Sequence, residues 1–192
     1  MRTSSLRFNS DPSELEDLRG YMERTAKEFL DLVPSFEGPL QNTEEIGKMA
    51  RWVVEGKKTS LLIMGQTGCG KTILAKTLGR TIAVRNLCPC FISMTKLAAL
   101  SRKNEEVPEF VYEGRTVILD DLGTEPSEIQ MYGNRYQLFN EILYARYSRH
   151  QPTIITTNFG WEDLERKYEK RVISRMREMF DVLVLKGGDL RK

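Results

Sequence analysis

The chain has 192 residues, of which 40% are hydrophobic and 29% are charged. This length and composition predict one globular domain of ordinary size, because a chain this long can bury a substantial core. The formal net charge is only +2, which excludes a globally basic nucleic-acid binder, so any such contact must come from a local patch. An odd number of cysteines, three, argues against a secreted disulfide framework.

The sequence shows neither a signal peptide nor a membrane-spanning stretch. The segment from Met1 to Leu6 has no apolar stretch of the kind found in signal peptides, and no later stretch approaches membrane-spanning length. We therefore expect a cytoplasmic protein without a membrane partner.

The N-terminal part of the chain predicts two helices. Ser13 and Glu16 have the spacing of a capping box, an apolar stripe follows them, and Pro34 ends the first helix. Thr43 can cap a second amphipathic helix, which Gly56 closes.

The rest of the chain alternates apolar segments of strand length with helical segments. The predicted strands are 60–64, 90–93, 116–120, 153–156 and 182–185, and the predicted helices follow residue 72 and cover 95–100, 136–147, 161–168 and 170–179. Near-continuous apolar strands between helices predict a parallel sheet covered on both faces. Ligands of such sheets bind at the carboxyl ends of the strands, where the polar motifs of this chain lie.

The most informative motif follows the first predicted strand. It reads Gly65-Gln66-Thr67-Gly68-Cys69-Gly70-Lys71-Thr72 and matches the phosphate-binding pattern G-x-x-x-x-G-K-[ST] between a strand and a helix. The glycines allow a tight turn whose N–H groups point at one anion, and the helix adds its positive N-terminal end. We expect Lys71 to reach the β- and γ-phosphates of a nucleoside triphosphate and Thr72 to hold Mg²⁺.

A second motif, Val117-Ile118-Leu119-Asp120-Asp121, is an apolar strand that ends in carboxylates and looks like a Walker B strand. Asp120 is predicted to lie beside Thr72 and to hold Mg²⁺ directly or through water. Asp121 is predicted to orient or deprotonate the attacking water, with Glu125 as the alternative. Glu fills this role more often than the shorter Asp. Two alternatives therefore stay open: slow hydrolysis of ATP, and a nucleotide-gated interaction module that scarcely hydrolyses ATP.

Two further motifs follow. Thr156-Thr157-Asn158 ends the fourth apolar strand, and Asn158, with Thr157 as the alternative, is predicted to hydrogen-bond the γ-phosphate or the attacking water. Asn158 could instead only cap the turn that follows.

Arg171 and Arg175 are four residues apart, so both project from one helix face and are candidates for an arginine finger.

Taken in order, these motifs resemble the ATPase domain of the DnaC/DnaI helicase loaders and the similar IstB transposition helpers, which belong to the AAA+ class. The resemblance runs from about Glu37 to Leu185 and rests on GQTGCGKT, VILDDLG, PTIITTN and RVISRMR. It implies an α/β P-loop NTPase fold of AAA+ type, with a parallel sheet of about five strands flanked by helices and no C-terminal lid domain. Residues 1–36 would form an N-terminal helical arm and residues 37–192 the ATPase domain.

The resemblance also implies a function. Subunits would assemble with ATP and Mg²⁺, and Arg175 would act on the nucleotide of the neighbouring subunit, with Arg171 as an auxiliary cation. The assembly would contact single-stranded DNA along its inner surface and would deliver a replicative DNA helicase, or a transposase in the IstB-like variant. Residues 1–36 are shorter than the separate helicase-binding domain of the loaders, so the resemblance does not fix the partner.

A different class of function is a small P-loop phosphotransferase, such as a nucleotide or metabolite kinase. It would need a mobile cationic lid and a pocket for a second substrate. The charged segment 102–106 could serve as that lid. This alternative leaves the motifs at Asn158 and Arg175 without a role.

Overall fold

The computed structural model describes residues 12–32, 43–55, 58–84, 88–104, 106–113 and 115–186. Helices and strands alternate along most of this length. In chain order they are α1 (Pro12–Asp31), α2 (Thr43–Glu55), β1 (Ser60–Met64), α3 (Lys71–Ala83), β2 (Cys90–Ser93), α4 (Met94–Asn104), a 3₁₀ turn (Glu109–Val111), β3 (Val117–Leu122), β4 (Ile129–Met131), β5 (Asn134–Tyr136), α5 (Leu138–Ser148), β6 (Thr153–Thr157), α6 (Trp161–Lys167), α7 (Lys170–Met179) and β7 (Phe180–Val184).

Five of the strands form one parallel sheet in the order β2-β3-β6-β1-β7, and β4 and β5 form a separate antiparallel hairpin. The register places Leu62 of β1 between Ile155 of β6 and Val182 of β7. This sheet confirms the predicted architecture. Its order also places β6 between β1 and β3, the strands that precede the phosphate loop and the two aspartates.

Successive residues of β1 face opposite sides of the sheet, and all are buried. Leu61 and Ile63 pack in a core formed with α1, α2 and α3. Leu62 and Met64 belong to a second core formed with α4, α5, α6 and α7. Because both faces of the strand are covered, both sets of alternating side chains must be apolar. This is the physical reason for the continuous apolar runs in the sequence.

Helix α1 packs against α2 and α3 on one face of the sheet. Met22 and Ala26 of its predicted apolar stripe are fully buried there. Glu28 forms an ion pair with Arg80 of α3 at 2.7 Å. The residues predicted to end α1 and α2, Pro34 and Gly56, lie outside the described residues.

The structure adds one element that was not predicted and shifts the ends of several others. The hairpin β4–β5 was not predicted, and Tyr136, the predicted start of a helix, is the last residue of β5. Helix α4 continues to Asn104, so most of the proposed lid segment is helical. Strand β7 starts at Phe180, earlier than predicted, because α7 passes into it without a loop. None of the described helices is long and apolar enough to cross a membrane.

Candidate active site

The phosphate loop connects β1 to α3 at the carboxyl edge of the sheet. The N–H of Gly65 donates to the carbonyl of Thr157 at 3.3 Å, which attaches the start of the loop to β6. Gly70 ends the loop with φ +92°, a left-handed backbone that favours glycine, and α3 begins at the next residue. No side chain among the described residues caps this helix end, so the first N–H groups of α3 are free to bind an anion.

Lys71 is the first residue of α3, and its side chain lies against the loop. It is 5% exposed. The ammonium group donates to the carbonyl of Gln66 at 2.7 Å and lies 3.9 Å from the sulfur of Cys69, which is itself buried. The cation is therefore held inside the curve of the loop, where phosphate oxygens would bind.

The structure brings Thr72 and Asp120 together. The hydroxyl of Thr72 lies 3.1 Å from each carboxylate oxygen of Asp120. Hydroxyl and carboxylate oxygens are ligands that Mg²⁺ prefers. The described residues contain no cluster of three or more His, Cys, Asp or Glu residues. A metal bound here would therefore complete its shell with phosphate oxygens and water, as Mg²⁺ does in nucleotide sites.

The ionisation of Asp120 reflects its surroundings. Burial raises the pKa of its carboxyl above the usual value, and the neighbouring Asp121 raises it further. Hydrogen bonds from Thr156 and Thr72 and the charge of Lys76 oppose this rise. A buried carboxylate is stabilised by a cation in contact with it, so this position is suited to hold a metal ion.

Asp121 lies in a β-bulge. Leu119 pairs with Ile155 and Leu122 pairs with Thr157, so β3 has one residue more than β6 between these pairs. The backbone of Asp121 has φ +57°, an uncommon conformation for a residue other than glycine that costs about 1–3 kcal/mol. Bulges next to active sites change the direction of a side chain. Here the bulge takes Asp121 out of the regular pairing of β3 with β6.

One hydroxyl, that of Thr156, contacts both aspartates. It donates to a carboxylate oxygen of Asp120 at 2.7 Å and accepts the N–H of Asp121 at 2.8 Å. The sequence analysis named this residue in the motif 156–158 but gave it no role. Thr153 and Thr157 of this strand are also polar, so the strand's composition does not single out Thr156. Its bridging position depends on β6 lying between β1 and β3.

Thr157 and Asn158, the two residues predicted to contact the γ-phosphate or the attacking water, lie at the end of β6 and just beyond it. The hydroxyl of Thr157 donates to the carbonyl of Leu122 at 2.7 Å and accepts the N–H of Phe159 at 3.1 Å. Both hydrogen bonds are therefore made to backbone groups. Asn158 is exposed just beyond the end of β6. Asn158 thus lies at the edge of the sheet where the phosphate loop lies.

Glu125, the alternative to Asp121, points into the turn that follows β3. Its side chain is 3% exposed. Its carboxylate accepts the N–H of Gly123 at 2.8 Å and the hydroxyl of Tyr168. The structure therefore does not bring Glu125 together with Thr72 and Asp120.

The arginines of α7 stack on tyrosines of α5. The guanidinium of Arg175 lies 4.4 Å from the ring centre of Tyr147 and 5.3 Å from that of Tyr144, and Arg171 lies 5.6 Å from the ring of Tyr144. The Nε atom of Arg175 is buried without a hydrogen-bond partner among the described residues. Within the described chain, neither arginine contacts the phosphate loop of its own subunit.

The unpredicted hairpin forms one wall of a groove. Tyr132 and Gly133 form its turn with positive φ, and Tyr132 is 67% exposed. The groove has a volume of about 590 Å³ and is lined by Ala99, Arg102, Lys103, Gln130, Tyr132 and Gly133. Within the described chain neither Arg102 nor Lys103 forms an ion pair. An exposed ring and two unpaired cations thus share one surface.

Comparison with known proteins gives matches at the level of structure alone. No protein-family model and no curated protein matches the sequence. The solved structure of the DnaC helicase loader is 23% identical, with a TM-score of 0.63 over 80% of this chain and 95% of that one. The structure of DnaI is 20% identical, with a TM-score of 0.56 over 100% of this chain and 94% of that one.

A replication initiator, DnaA, solved with AMPPCP and single-stranded DNA, is also similar. It is 16% identical, with a TM-score of 0.57 over 85% of this chain and 50% of that one. This chain therefore spans about half of that DnaA. Identities this low show the fold and not the activity. The parallel sheet, its strand order and these neighbours together show that the chain shares the fold of the solved DnaC and DnaI structures.

Proposed function

We propose that this protein is an ATP-binding AAA+ ATPase of DNA replication that acts like a helicase loader and assembles with ATP on single-stranded DNA. One observation carries the proposal: the phosphate loop, the Thr72–Asp120 pair and the bulged Asp121 meet at the carboxyl edge of the sheet. The likeness in fold to DnaC and DnaI supports this function over a phosphotransferase. The preference for ATP rests on the resemblance of the motifs.

Nucleotide binding would use the loop from Gly65 to Gly70 and the free N–H groups of α3. Lys71 would exchange its bond to the Gln66 carbonyl, at 2.7 Å, for oxygens of the β- and γ-phosphates. Thr72 and Asp120 would hold Mg²⁺. When bound, Mg²⁺ neutralises charge that develops on the phosphates.

Hydrolysis would use three further residues. Asp121 would orient the attacking water and accept its proton, and Asn158 would hydrogen-bond the water or the γ-phosphate. The water oxygen bonds to the γ-phosphorus while the bond to the β–γ bridging oxygen breaks, which gives ADP and phosphate. Arg175 of the neighbouring subunit would stabilise the negative charge of the transition state. Since the carboxylate of Asp121 reaches less far than that of Glu, we expect slow turnover.

Lys71→Ala tests the nucleotide site. We expect it to weaken ATP affinity roughly tenfold to a hundredfold, because a charged hydrogen-bond donor to the phosphates is lost, and to abolish hydrolysis. Binding is measured with a fluorescent ATP analogue. Arg80→Ala is the matched control on the same helix, since it removes an exposed ion pair with Glu28 and should leave affinity unchanged. Unchanged turnover in the Lys71 variant would contradict the site assignment.

The groove beside the hairpin supports contact with single-stranded DNA. Nucleic-acid bases stack on exposed aromatic rings, and phosphates pair with Arg and Lys. Tyr132 offers the ring and Arg102 and Lys103 offer the cations, with Gln130 beside them. This local basic surface meets the requirement that the low net charge of the chain imposes.

Tyr132→Ala tests this contact. We expect roughly tenfold weaker binding of a labelled single-stranded oligonucleotide, because one stacked base is lost. Tyr132→Phe keeps the ring and the same left-handed backbone position, so it should bind like the unmodified protein. ATP affinity should be unchanged in both variants. Equal DNA affinity of the alanine and phenylalanine variants would place the DNA contact elsewhere.

Assembly is tested by light scattering, with a slowly hydrolysed ATP analogue or ADP, each with and without single-stranded DNA. A rise in molar mass that needs both triphosphate and DNA supports the proposal. A monomer under every condition contradicts DNA-organised assembly.

A pull-down experiment that compares binding of a replicative helicase with binding of a transposase then separates a loader from an IstB-like helper. The neighbours named above, which include a helicase loader and a replication initiator, favour the helicase.

A further inference from the structure

The turn after Asp121 is held by two residues from the end of α6. The ammonium group of Lys167 donates to the carbonyls of Gly123, at 2.5 Å, and Glu125, at 2.7 Å. The hydroxyl of Tyr168 donates to the carboxylate of Glu125, which also accepts the N–H of Gly123. We refer to these contacts of Lys167 and Tyr168 with the turn 123–125 as the turn clamp.

Within the turn clamp, the hydrogen bond between Tyr168 and Glu125 is buried. Glu125 and Tyr168 are both buried. Burial, followed by the charge of Glu125, raises the pKa of the Tyr168 hydroxyl far above its usual value. The hydroxyl therefore remains a donor to the Glu125 carboxylate throughout the pH range in which an ATPase is assayed. The proposed hydrolysis does not use Glu125, so its contacts with the turn have a structural role.

The clamped turn is tied directly to Asp121. The hydroxyl and the N–H of Thr124 both donate to the carbonyl of Asp121, at 2.7 Å and 3.2 Å. Gly123 has φ +104°, and a Cβ atom there would lie 2.7 Å from the ring of Phe159. The backbone next to Asp121 therefore has little freedom to shift while the clamp is in place.

We propose that Lys167 and Tyr168 are positioning residues that hold Asp121 in place through the turn 123–125 and link it to the α6–α7 corner. This inference rests on the proposed ATPase function. The corner leads directly into α7, which starts at Lys170 and carries Arg175. The ring of Tyr168 also packs on Phe139 of α5, with ring centres 5.0 Å apart.

This arrangement gives a short physical path between two sites. Arg175 would contact the nucleotide of a neighbouring subunit, and Asp121 would act on the nucleotide of its own subunit. A neighbour that holds Arg175 would also hold α7, the α6–α7 corner and, through the turn clamp, the backbone of Asp121. The position of the water-orienting carboxylate would then depend on assembly.

Tyr168→Phe and Lys167→Met test the inference. The first removes one hydroxyl and keeps the ring on Phe139, and the second removes the ammonium of a half-buried side chain. Lys170→Met is the matched control, since Lys170 is exposed at the start of α7. We expect kcat of the assembled protein to fall roughly tenfold to a hundredfold in both test variants, with ATP affinity and assembled mass unchanged. Hydrogen exchange of the Gly123 amide should become faster in both.

The outcomes separate this inference from the proposed function. If the unmodified protein hydrolyses ATP and both test variants match the Lys170 control in kcat, the positioning role is wrong. It is also wrong if ATP affinity falls in parallel with kcat, because the residues would then only maintain the fold. If the unmodified protein hydrolyses no ATP, the proposed function fails. The exchange rate at Gly123 then still decides the clamp, and an unchanged rate would overturn it.

Discussion

Arg175→Ala is expected to reduce ATP hydrolysis by the assembled protein roughly 10³-fold while leaving ATP binding by the monomer unchanged. A guanidinium inserted from a neighbouring subunit stabilises charge that exists only in the transition state, so its loss lowers the rate and not the affinity. In its own subunit Arg175 stacks on Tyr144 and Tyr147, away from the phosphate loop. These contacts leave its guanidinium without an ion pair among the described residues.

The measurement is turnover as a function of protein concentration, with ATP binding determined separately. Arg177→Ala is the matched control because Arg177 lies on the same helix but pairs with Glu165 at 2.6 Å and stacks on Trp161. Arg175→Lys keeps the charge but not the planar fork, and should recover little activity. Normal hydrolysis by the alanine variant at high protein concentration would contradict the assignment.

A mixing experiment tests action between subunits. The Arg175→Ala variant keeps an intact nucleotide site, and the Lys71→Ala variant keeps its finger. In a mixture, the finger of a Lys71→Ala subunit can reach the site of an Arg175→Ala neighbour. We therefore expect the mixture to hydrolyse ATP faster than either variant alone. No recovery, in assemblies of unchanged mass, would contradict a finger that acts between subunits.

The parts of the site that the sequence could predict depend on neighbouring residues in the chain or on one general property of parallel sheets. The phosphate loop is a continuous motif between β1 and α3. The approach of Asp120 to Thr72 follows because carboxyl ends of parallel strands meet at one edge. Both could be inferred without knowing the order of the strands.

Other parts depend on contacts between distant segments. The bridging position of Thr156 requires β6 to lie between β1 and β3, and no local pattern contains that order. The direction of Glu125 is decided by Tyr168, which lies 43 residues later. The sequence favours Asp121 but leaves Glu125 as an alternative, and the contact of Glu125 with Tyr168, which follows α6, separates the two.

The hairpin was missed for a local reason. Its strands, Ile129–Met131 and Asn134–Tyr136, have three residues each, which is too short for alternation to be distinguished from chance. Its turn places Tyr132 in a left-handed conformation, where Asn or Asp before Gly is the usual signal. An exposed tyrosine in that position sacrifices turn propensity, which agrees with a role in binding.

Arg146→Ala is expected to lower the free energy of unfolding by about 4 kcal/mol, because several buried acceptors lose their donor at once. Arg146 is 0% exposed. Its guanidinium donates to the Thr153 hydroxyl and to the carbonyls of Val111, Arg115 and Pro152, at 2.6–2.8 Å. It thereby joins the segments that lead into β3 and β6. Burial lowers the pKa of Arg146 to about 10, so the side chain is still charged at neutral pH.

Equilibrium unfolding in urea without nucleotide measures this effect, and two further variants separate its causes. Arg146→Met fills most of the space but donates nothing, so a loss close to that of alanine would assign the effect to the unsatisfied acceptors rather than to a cavity. Arg149→Ala is the control, because that exposed arginine donates once, to the Tyr112 carbonyl at 2.7 Å, and should cost less than about 1 kcal/mol. A loss below about 1 kcal/mol for Arg146→Ala would mean that water reaches the freed carbonyls. The amino ends of β3 and β6 would then not depend on this buried cation for their alignment.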